Sequence, residues 1–152
     1  MQMTIAVLED NEDRIGVMER YLDDKFPFYE SRFFRSAGAA IDWLREHLDQ
    51  TICLALDHDL ERPQGEPDPG SGREVAEFLA TNQTRFPIVI HTTNQHAAIA
   101  MEALLDDSGW TVSRVCPYGD LQWVSESWLP AVRAAIVAQA ARVARSKASR
   151  DI

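Results

Sequence analysis

Two carboxylates and an imidazole stand directly after an apolar run near the middle of the chain. Ile52 to Leu56 is continuously apolar, and Asp57, His58 and Asp59 follow it. Such a run is typical of a buried strand in a parallel sheet, and open α/β sheets bind ligands just outside the carboxyl ends of their strands. The three side chains therefore stand where chemistry is expected, although they would also suit an Asp-rich loop that caps the next helix.

Matching polar groups follow two other predicted strands. Glu9 and Asp10 come after the apolar residues 4–8, and four polar residues come after residues 87–90: His91, Thr92, Thr93 and Asn94. In the strand order 2-1-3-4-5, strands 1 and 3 are neighbours, so Glu9, Asp10 and Asp57 would converge. Three carboxylates this close either take up protons or bind a hard cation. We therefore predict a pocket for Mg²⁺ or Mn²⁺ rather than an acidic rim without a cation, with these candidate ligands: Glu9, Asp10, Asp57 and Asp59.

The remaining polar residues at the strand ends are candidates for phosphate binding and proton transfer. A hydroxyl from Thr92 could bond a phosphoryl oxygen, with Thr93 and Asn94 as further phosphate-binding candidates. His91 ends a buried strand and is the first candidate for general acid or base, since imidazole titrates near neutral pH. The alternative for His91 is a histidine packed under the loop. His58 is the second candidate, because strand neighbours alternate faces and its side chain is expected to point away from the preceding aspartate.

The overall composition is that of an ordinary globular protein, with 45% hydrophobic and 26% charged residues among 152. The net charge of −9 argues against nucleic-acid or membrane partners, apart from a terminal phosphate of a nucleic acid. Neither a signal peptide nor an apolar run of the roughly 20 residues that span a bilayer is present, so a cytoplasmic location is expected. Cys53 and Cys116 lie in apolar segments and are predicted to be reduced core thiols.

Strand and helix patterns alternate five times along the chain. The predicted strands cover residues 4–8, 29–34, 51–56, 87–90 and 110–115, and the predicted helices cover about 12–25, 36–48, 72–83, 95–107 and 127–147. This alternation predicts one α/β domain over residues 1–152, a three-layer doubly wound (βα)5 fold with its core at about 4–147 and fraying at 148–152. The Pro-rich loop over residues 61–71 is either a lid over the predicted site or a surface insertion.

On these residues the chain resembles the receiver domain of two-component response regulators, the flavodoxin-like fold of CheY, over nearly its whole length. Receivers carry an acidic pair after strand 1, which Glu9 and Asp10 match, and Thr or Ser after strand 4, which Thr92 matches. Their phosphoacceptor aspartate follows strand 3 in an Asp-x-x-Leu/Met pattern, which Asp57 to Leu60 matches. The resemblance implies a five-stranded parallel sheet in the order 2-1-3-4-5 and a role in phosphoryl transfer and signal transduction.

One departure from the receivers concerns the end of strand 5. Receivers have Lys-Pro there, and the lysine contacts the phosphoryl group, whereas this chain has Cys116 and Pro117. A thiol supplies no positive charge for that contact. In the family the bond before this proline is usually cis, and we predict the same for Cys116–Pro117.

Two four-residue motifs are similar to those of one branch, the cyclic-phosphate-processing receivers. That branch shows an Asp-His-Asp-Leu motif, which Asp57 to Leu60 matches, and a His-Ser/Thr-x-Asn motif, which His91 to Asn94 matches. The similarity implies a site that processes a cyclic phosphate.

Three functions follow as hypotheses. The first is a metal-dependent phosphate-handling domain with phosphoesterase activity, whose partner is a phosphate-containing small molecule. The second is a single-domain response regulator in which a partner histidine kinase phosphorylates Asp57 and Thr92 couples the change to the next helix. The third is a degenerate receiver used as an interaction module, with a homodimer through a stripe of small residues in the last helix: Ala134, Ala135, Ala138, Ala141 and Val143. The favoured alternative for this stripe is that it covers the sheet.

Overall fold

A five-stranded parallel sheet forms the middle layer of the computed structural model, which describes residues 2–150. Its strands are β1 (Thr4–Leu8), β2 (Glu30–Phe34), β3 (Thr51–Leu56), β4 (Ile88–His91) and β5 (Val112–Val115). They lie in the order β2-β1-β3-β4-β5, and each neighbouring pair is parallel. The predicted sheet order and doubly wound α/β fold are confirmed. The strand order reverses between β1 and β3, which is where such sheets bind ligands.

Helices cover both faces of the sheet. They are α1 (Glu12–Lys25), α2 (Ala37–His47), α3 (Gly72–Ala80), α4 (Gln95–Asp107) and α5 (Leu129–Arg150). The side chains of Asn11, Ser36 and Asn94 cap α1, α2 and α4 by accepting a hydrogen bond from a main-chain N–H of the first turn. None of the helices within residues 2–150 combines the length and the hydrophobicity of a transmembrane segment.

The last helix differs from its prediction in its bounds and in its buried face. A π-helical turn over Val124–Trp128 precedes α5, which extends to Arg150. Residues 151–152 of the segment expected to fray lie outside the described part of the chain. The buried residues of α5 are Leu129, Val132, Ile136 and Gln139. In the predicted stripe, four of the five residues are exposed: Ala134, Ala138, Ala141 and Val143. The interpretation of these four as sheet cover is wrong, because the helical period set by the buried residues turns them outward.

Alternate residues of the central strands pack on opposite faces of the sheet. Three residues at one level pack on the face covered by α2, α3 and α4: Leu8, Leu56 and Ile90. The three residues that precede them pack on the face covered by α1 and α5: Val7, Ala55 and Val89. A slip of one residue would move the apolar set of a strand to the opposite face, so this packing sets the register.

The same register determines which residues meet where the strands end. Leu8 pairs with Leu56, and Leu56 pairs with Ile90. The residues that come next on β1, β3 and β4 therefore form one row: Glu9, Asp57 and His91. Because neighbours along a strand alternate, this row faces α1 and α5.

The end of β5 departs from prediction in two respects. No peptide bond within residues 2–150 is cis, so the predicted cis bond at Cys116–Pro117 is wrong. The trans form of an X–Pro bond is intrinsically favoured by about 0.5–1 kcal/mol, and in this form the Cys116 thiol lies 3.7 Å from the Pro117 carbonyl oxygen. Cys53 is a buried free thiol as predicted, but Cys116 is exposed because it follows an edge strand.

Gly72 opens α3 directly against the main chain at the end of β3. A Cβ atom at this position would lie 2.9 Å from the Asp57 carbonyl carbon and 3.0 Å from His58 Cα, closer than side-chain atoms pack. The Gly72 N–H also donates a hydrogen bond to the His58 carbonyl at 3.0 Å. The absence of a side chain therefore lets α3 hold the segment that carries Asp57.

We predict that Gly72→Ala lowers the free energy of unfolding by about 2–4 kcal/mol, because the added methyl group must push α3 away from β3. Gly16→Ala is the matched control, since Gly16 lies within α1 and a Cβ there meets no atom within 4 Å. Alanine at such an open helical position stabilises by up to about 1 kcal/mol. Urea unfolding measures both effects, and equal stability of the two variants would contradict the close contact at Gly72.

Candidate functional site

Three buried side chains meet in the row at the ends of β1, β3 and β4. One oxygen of Glu9, one oxygen of Asp57 and one ring nitrogen of His91 lie within 4.8 Å of one another. The exposed fractions of these residues are 0%, 4% and 0%. The sequence predicted the approach of Glu9 to Asp57, whereas His91 was expected to act in proton transfer and lies with them instead. We call these three residues the inner cluster.

Glu9 is held by main-chain donors on one side and faces an imidazole and a guanidinium on the other. Its Oε2 accepts hydrogen bonds from the N–H groups of Asp10 and Asn11, at 2.9 and 3.0 Å. Its Oε1 lies 3.2 Å from His91 Nε2 and 3.5 Å from Arg14 Nη1. The contact with His91 lacks the alignment of a hydrogen bond. Within residues 2–150, Glu9 Oε1 and both His91 ring nitrogens therefore have no hydrogen-bond partner.

Aromatic side chains near the start of α5 enclose His91. Its ring lies 5.9 Å from the Trp123 ring and 6.1 Å from the Trp128 ring, measured between centroids. Both tryptophans are fully buried. The Arg14 guanidinium lies over the Trp123 ring, 5.2 Å from its centroid. These aromatic rings lower the local dielectric constant, which strengthens electrostatic interactions within the inner cluster.

The two carboxyl groups of the inner cluster differ in their protonation. Burial raises the pKa of Asp57 to about 7, with His91 opposing this effect and the charge of Glu9 adding to it. Burial would also raise the pKa of Glu9, but the contacts with His91, the Asn11 N–H and Arg14 outweigh it and lower this pKa to about 2. Glu9 is therefore ionised at neutral pH, whereas Asp57 can gain or lose a proton there.

Asp10 and Asp59, the other two predicted metal ligands, lie outside the inner cluster. The Asp10 carboxylate accepts a hydrogen bond from the Glu61 N–H. Asp59 is exposed and contacts His58. Among the residues that the structure describes, the group of converging metal-binding donors contains neither of them. Their role as ligands stays a prediction.

A second polar group lies at the rim of the site and consists of His58, Asp59 and Asn94; we call it the rim group. His58 Nδ1 lies 2.7 Å from Asp59 Oδ1, and Asn94 Nδ2 lies 3.5 Å from the same oxygen. The side chain of His58 is 21% exposed. A carboxylate on Nδ1 favours the tautomer whose Nε2 carries the lone pair, which is the form that accepts a proton.

The three predicted phosphate-binding residues have different surroundings. Thr92 is 2% exposed and follows His91 directly, and its Oγ1 accepts a hydrogen bond from the Asn94 N–H at 3.1 Å. Its hydroxyl hydrogen can therefore donate to another acceptor. Thr93 is exposed, and the Asn94 side chain caps α4 by accepting from the Ala97 N–H at 3.1 Å. The role of these three residues in phosphate binding stays a prediction.

Three residues at the site were missed by the sequence reasoning: Arg14, Trp123 and Trp128. Arg14 stands in the first turn of α1, and its contact with Glu9 depends on how α1 packs after the turn that follows β1. Trp123 directly precedes a π-helical turn, and Trp128 is the last residue of that turn. Such a turn departs from the helical period of 3.6 residues, so sequence periodicity does not reveal the direction of its side chains.

The Pro-rich loop is docked beside the site. The Pro69 carbonyl accepts a hydrogen bond from the Ala37 N–H at 2.8 Å, and Asp10 accepts from the Glu61 N–H. A cavity of about 570 Å³ separates the loop from the start of α2, and Asp10 and Arg35 are among its lining residues. The loop therefore borders the acidic end of the sheet on the side of β2.

Comparison with known families confirms the resemblance to the cyclic-phosphate-processing receivers. Residues 18–107, more than half of the chain, match the family model described as "Cyclic-phosphate processing Receiver domain". The matched segment contains Asp57 and His91, and it begins after Glu9 and Arg14. Comparison with curated proteins gave no match.

Solved receiver structures share the fold at low sequence identity. The phosphorylated cyanobacterial phytochrome response regulator RcpA has a TM-score of 0.62 and 20% identity, covering 82% of this chain and 86% of its own. The Mn²⁺-bound form of response regulator Rcp1 has a TM-score of 0.60 and 20% identity, over 84% of this chain and 94% of that one. The response regulator domain of Thermotoga maritima CheB has a TM-score of 0.62 and 16% identity, covering 90% of this chain and 97% of its own. Likeness at these identities shows the CheY-like receiver fold alone.

We predict that Asp57→Asn removes a pH dependence from the stability of the metal-free protein. A carboxyl whose pKa rises on folding from 3.8 to about 7 disfavours the folded state as pH increases through this range. Between pH 5 and pH 8 the wild-type protein should therefore lose roughly 1–3 kcal/mol more stability than Asp57→Asn loses.

Urea unfolding in a chelating buffer at the two pH values measures this difference. Asp23→Asn, the same substitution at an exposed position of α1, should follow the wild-type protein. Identical pH profiles for wild type and Asp57→Asn would show that burial does not disfavour the ionised Asp57.

Proposed function

This chain belongs to the family of cyclic-phosphate processing receiver domains, and we propose that it binds and hydrolyses a cyclic phosphate or a related phosphoester with the help of a divalent cation. The inner cluster would hold the cation, Thr92 contacts the phosphoryl group, and His58 transfers the proton. The observation that carries the proposal is the set of buried atoms at the inner cluster that lack hydrogen-bond partners.

The inner cluster has the donors that a cation requires. Glu9 Oε1 and both ring nitrogens of His91 are buried without a hydrogen-bond partner within the described residues. Leaving one buried polar group unsatisfied costs about 1–3 kcal/mol, and most such groups in folded proteins are bonded. A cation would satisfy the Glu9 oxygen and one His91 nitrogen, and it would favour the ionised form of Asp57. The residues present therefore fit a metal ion.

The mixture of ligand types favours Mn²⁺ over Mg²⁺. Mg²⁺ in proteins takes oxygen ligands, whereas a set that includes imidazole suits a first-row transition ion better. The solved Rcp1 structure described as Mn²⁺-bound supports this choice for a related fold. When bound, such an ion polarises a phosphoryl oxygen and lowers the pKa of a bound water.

His58 is better placed than His91 to transfer a proton. His91 is 0% exposed and is enclosed by two tryptophan rings. His58 is partly exposed, and the carboxylate of Asp59 at 2.7 Å orients its ring. A general base must reach the proton that it removes, and a carboxylate behind the imidazole stabilises the cation that forms. This assignment reverses the order in which the sequence ranked the two histidines.

The reaction balances with these residues and one water molecule. The water oxygen attacks phosphorus, and one ester P–O bond breaks. His58 Nε2 accepts a proton from the attacking water and can return it to the leaving alkoxide. Thr92 donates its hydroxyl hydrogen to a phosphoryl oxygen. With a cyclic phosphate as substrate, the product is a single molecule that carries a phosphomonoester and a new hydroxyl.

The second candidate function is that of a response regulator phosphorylated on Asp57 by a histidine kinase. It is favoured by the position of Asp57, which follows β3 directly and is 4% exposed. The solved structure of phosphorylated RcpA shares the fold. Cys116 counts against this function, because its exposed thiol supplies no positive charge to contact the phosphoryl group.

We predict that His58→Gln lowers kcat for Mn²⁺-dependent hydrolysis by about 10²–10⁴-fold, the usual contribution of a general acid or base. The Mn²⁺ affinity should change little, because His58 lies outside the inner cluster. His96→Gln is the matched control, since His96 is an exposed histidine of α4. Turnover is measured on a panel of 2′,3′-cyclic nucleotides and phosphodiesters, and Mn²⁺ affinity is measured by calorimetry.

The same samples separate the two candidate functions. Labelling by acetyl phosphate that disappears in Asp57→Asn, without hydrolysis of any phosphoester in the panel, would establish the response regulator instead. Full activity of His58→Gln would contradict the role of His58 as the base.

A further inference from the structure

Arg14 is held on the solvent side of the inner cluster by two contacts. Its Nη1 lies 3.5 Å from Glu9 Oε1, and its guanidinium lies over the Trp123 ring at 5.2 Å. The side chain of Arg14 is 27% exposed, whereas that of Glu9 is 0% exposed. The guanidinium is therefore the solvent-accessible partner of a carboxylate that is itself buried. The aromatic ring beneath it restricts its orientation.

The contact between Arg14 and Glu9 leaves the guanidinium free to bind a second group. Charge-assisted N–H···O bonds are usually about 2.7–2.9 Å long, whereas this contact is 3.5 Å. Glu9 Oε1 has no hydrogen-bond partner among the described residues. A guanidinium has five N–H donors in a planar fork that matches two oxygens of a phosphoryl group.

A phosphoryl group at this site needs a cationic donor from the protein. Glu9 and Asp57 bring negative charge, and a divalent cation would offset these two charges without leaving an excess for a phosphoryl dianion. Arg35 and Arg62 line the cavity at the Pro-rich loop, where Arg35 lies 3.5 Å from Glu12 and Arg62 donates to the Glu66 carbonyl at 3.0 Å. Arg14, in contrast, lies against the inner cluster itself, with its Nη1 3.5 Å from Glu9 Oε1.

We propose that Arg14 is the anion-binding residue of this site, which grips two phosphoryl oxygens and stabilises the negative charge that develops as the P–O bond breaks. On ligand binding, Arg14 exchanges its long contact with Glu9 for two hydrogen bonds to the phosphoryl group. The divalent cation would then be the partner of the Glu9 carboxylate. This inference rests on the proposed function and adds to it the residue that recognises the anion.

A purely structural role for Arg14, limited to neutralising buried Glu9, predicts a different result. Removal of the guanidinium would then change stability and raise the affinity for cations, but anion binding at saturating cation would be unaffected. An anion-binding role predicts the loss of anion affinity while cation affinity is retained. The two affinities must therefore be measured separately.

Calorimetry tests the proposal with Mn²⁺ as the first probe and orthovanadate, a phosphate analogue, as the second probe at saturating Mn²⁺. For Arg14→Gln we expect Mn²⁺ affinity equal to that of the wild type or a few-fold higher, and vanadate affinity about 30–100-fold lower. Arg14→Lys should lose roughly 10-fold, because it keeps the charge without the planar fork. It also serves as the test if Arg14→Gln does not fold. Arg20→Gln, an exposed arginine of the same helix, should match the wild type in both titrations.

Each other outcome overturns a defined part of the account. Vanadate affinity within two-fold of wild type in Arg14→Gln, or unchanged in Arg14→Lys when that variant is the test, overturns the role of Arg14 and leaves the proposed function standing. Loss of Mn²⁺ binding in Arg14→Gln assigns Arg14 to holding Glu9 in place and also overturns the role. Absence of Mn²⁺-dependent vanadate binding in the wild type overturns the proposed function and this inference with it.

Discussion

Repulsion between Glu9 and Asp57, two carboxyl groups buried side by side, is the interaction that organises this end of the sheet. The two groups cannot be ionised at the same time in a site of low dielectric constant unless positive charge or hydrogen-bond donors compensate their negative charge. The negative charge of Glu9 is compensated by its contacts with His91 and Arg14, and its pKa is lowered to about 2. Burial leaves Asp57 with a pKa raised to about 7. A cation shared by the three residues of the inner cluster would remove the conflict, and the atoms without hydrogen-bond partners point to the same solution.

The packing that stabilises the domain also creates this conflict. Apolar alternation on β1, β3 and β4 sets the strand register, and the register places the next residue of each strand in one row. Gly72 lets α3 hold the end of β3, while Trp123 and Trp128 enclose His91 from the other side. The inner cluster is therefore buried, whereas Arg14 and His58 beside it are partly exposed.

Much of the fold could be predicted from the sequence because apolar runs and helical periodicity are local signals. The bounds of β1, β3 and α4, and the sheet order, were predicted in this way. The sequence also showed which strand ends carry polar groups. It could not show which side of a strand end a side chain faces, so His91 was ranked as a base. Arg14 was missed because its contact with Glu9 depends on how α1 packs. The trans bond at Cys116–Pro117 was missed because the expectation of a cis bond rested on the family resemblance alone.

A crystal structure of the protein with Mn²⁺, with anomalous scattering measured at the manganese edge, would show whether the inner cluster binds a metal ion. We expect one anomalous peak within roughly 2–2.5 Å of a Glu9 oxygen, an Asp57 oxygen and a His91 nitrogen. A peak bound by Asp10 or Asp59 without His91 would restore the acidic pocket expected from the sequence and contradict the inner cluster as the metal site. No peak at saturating Mn²⁺ would show that the repulsion between Glu9 and Asp57 is relieved by protonation of Asp57 instead.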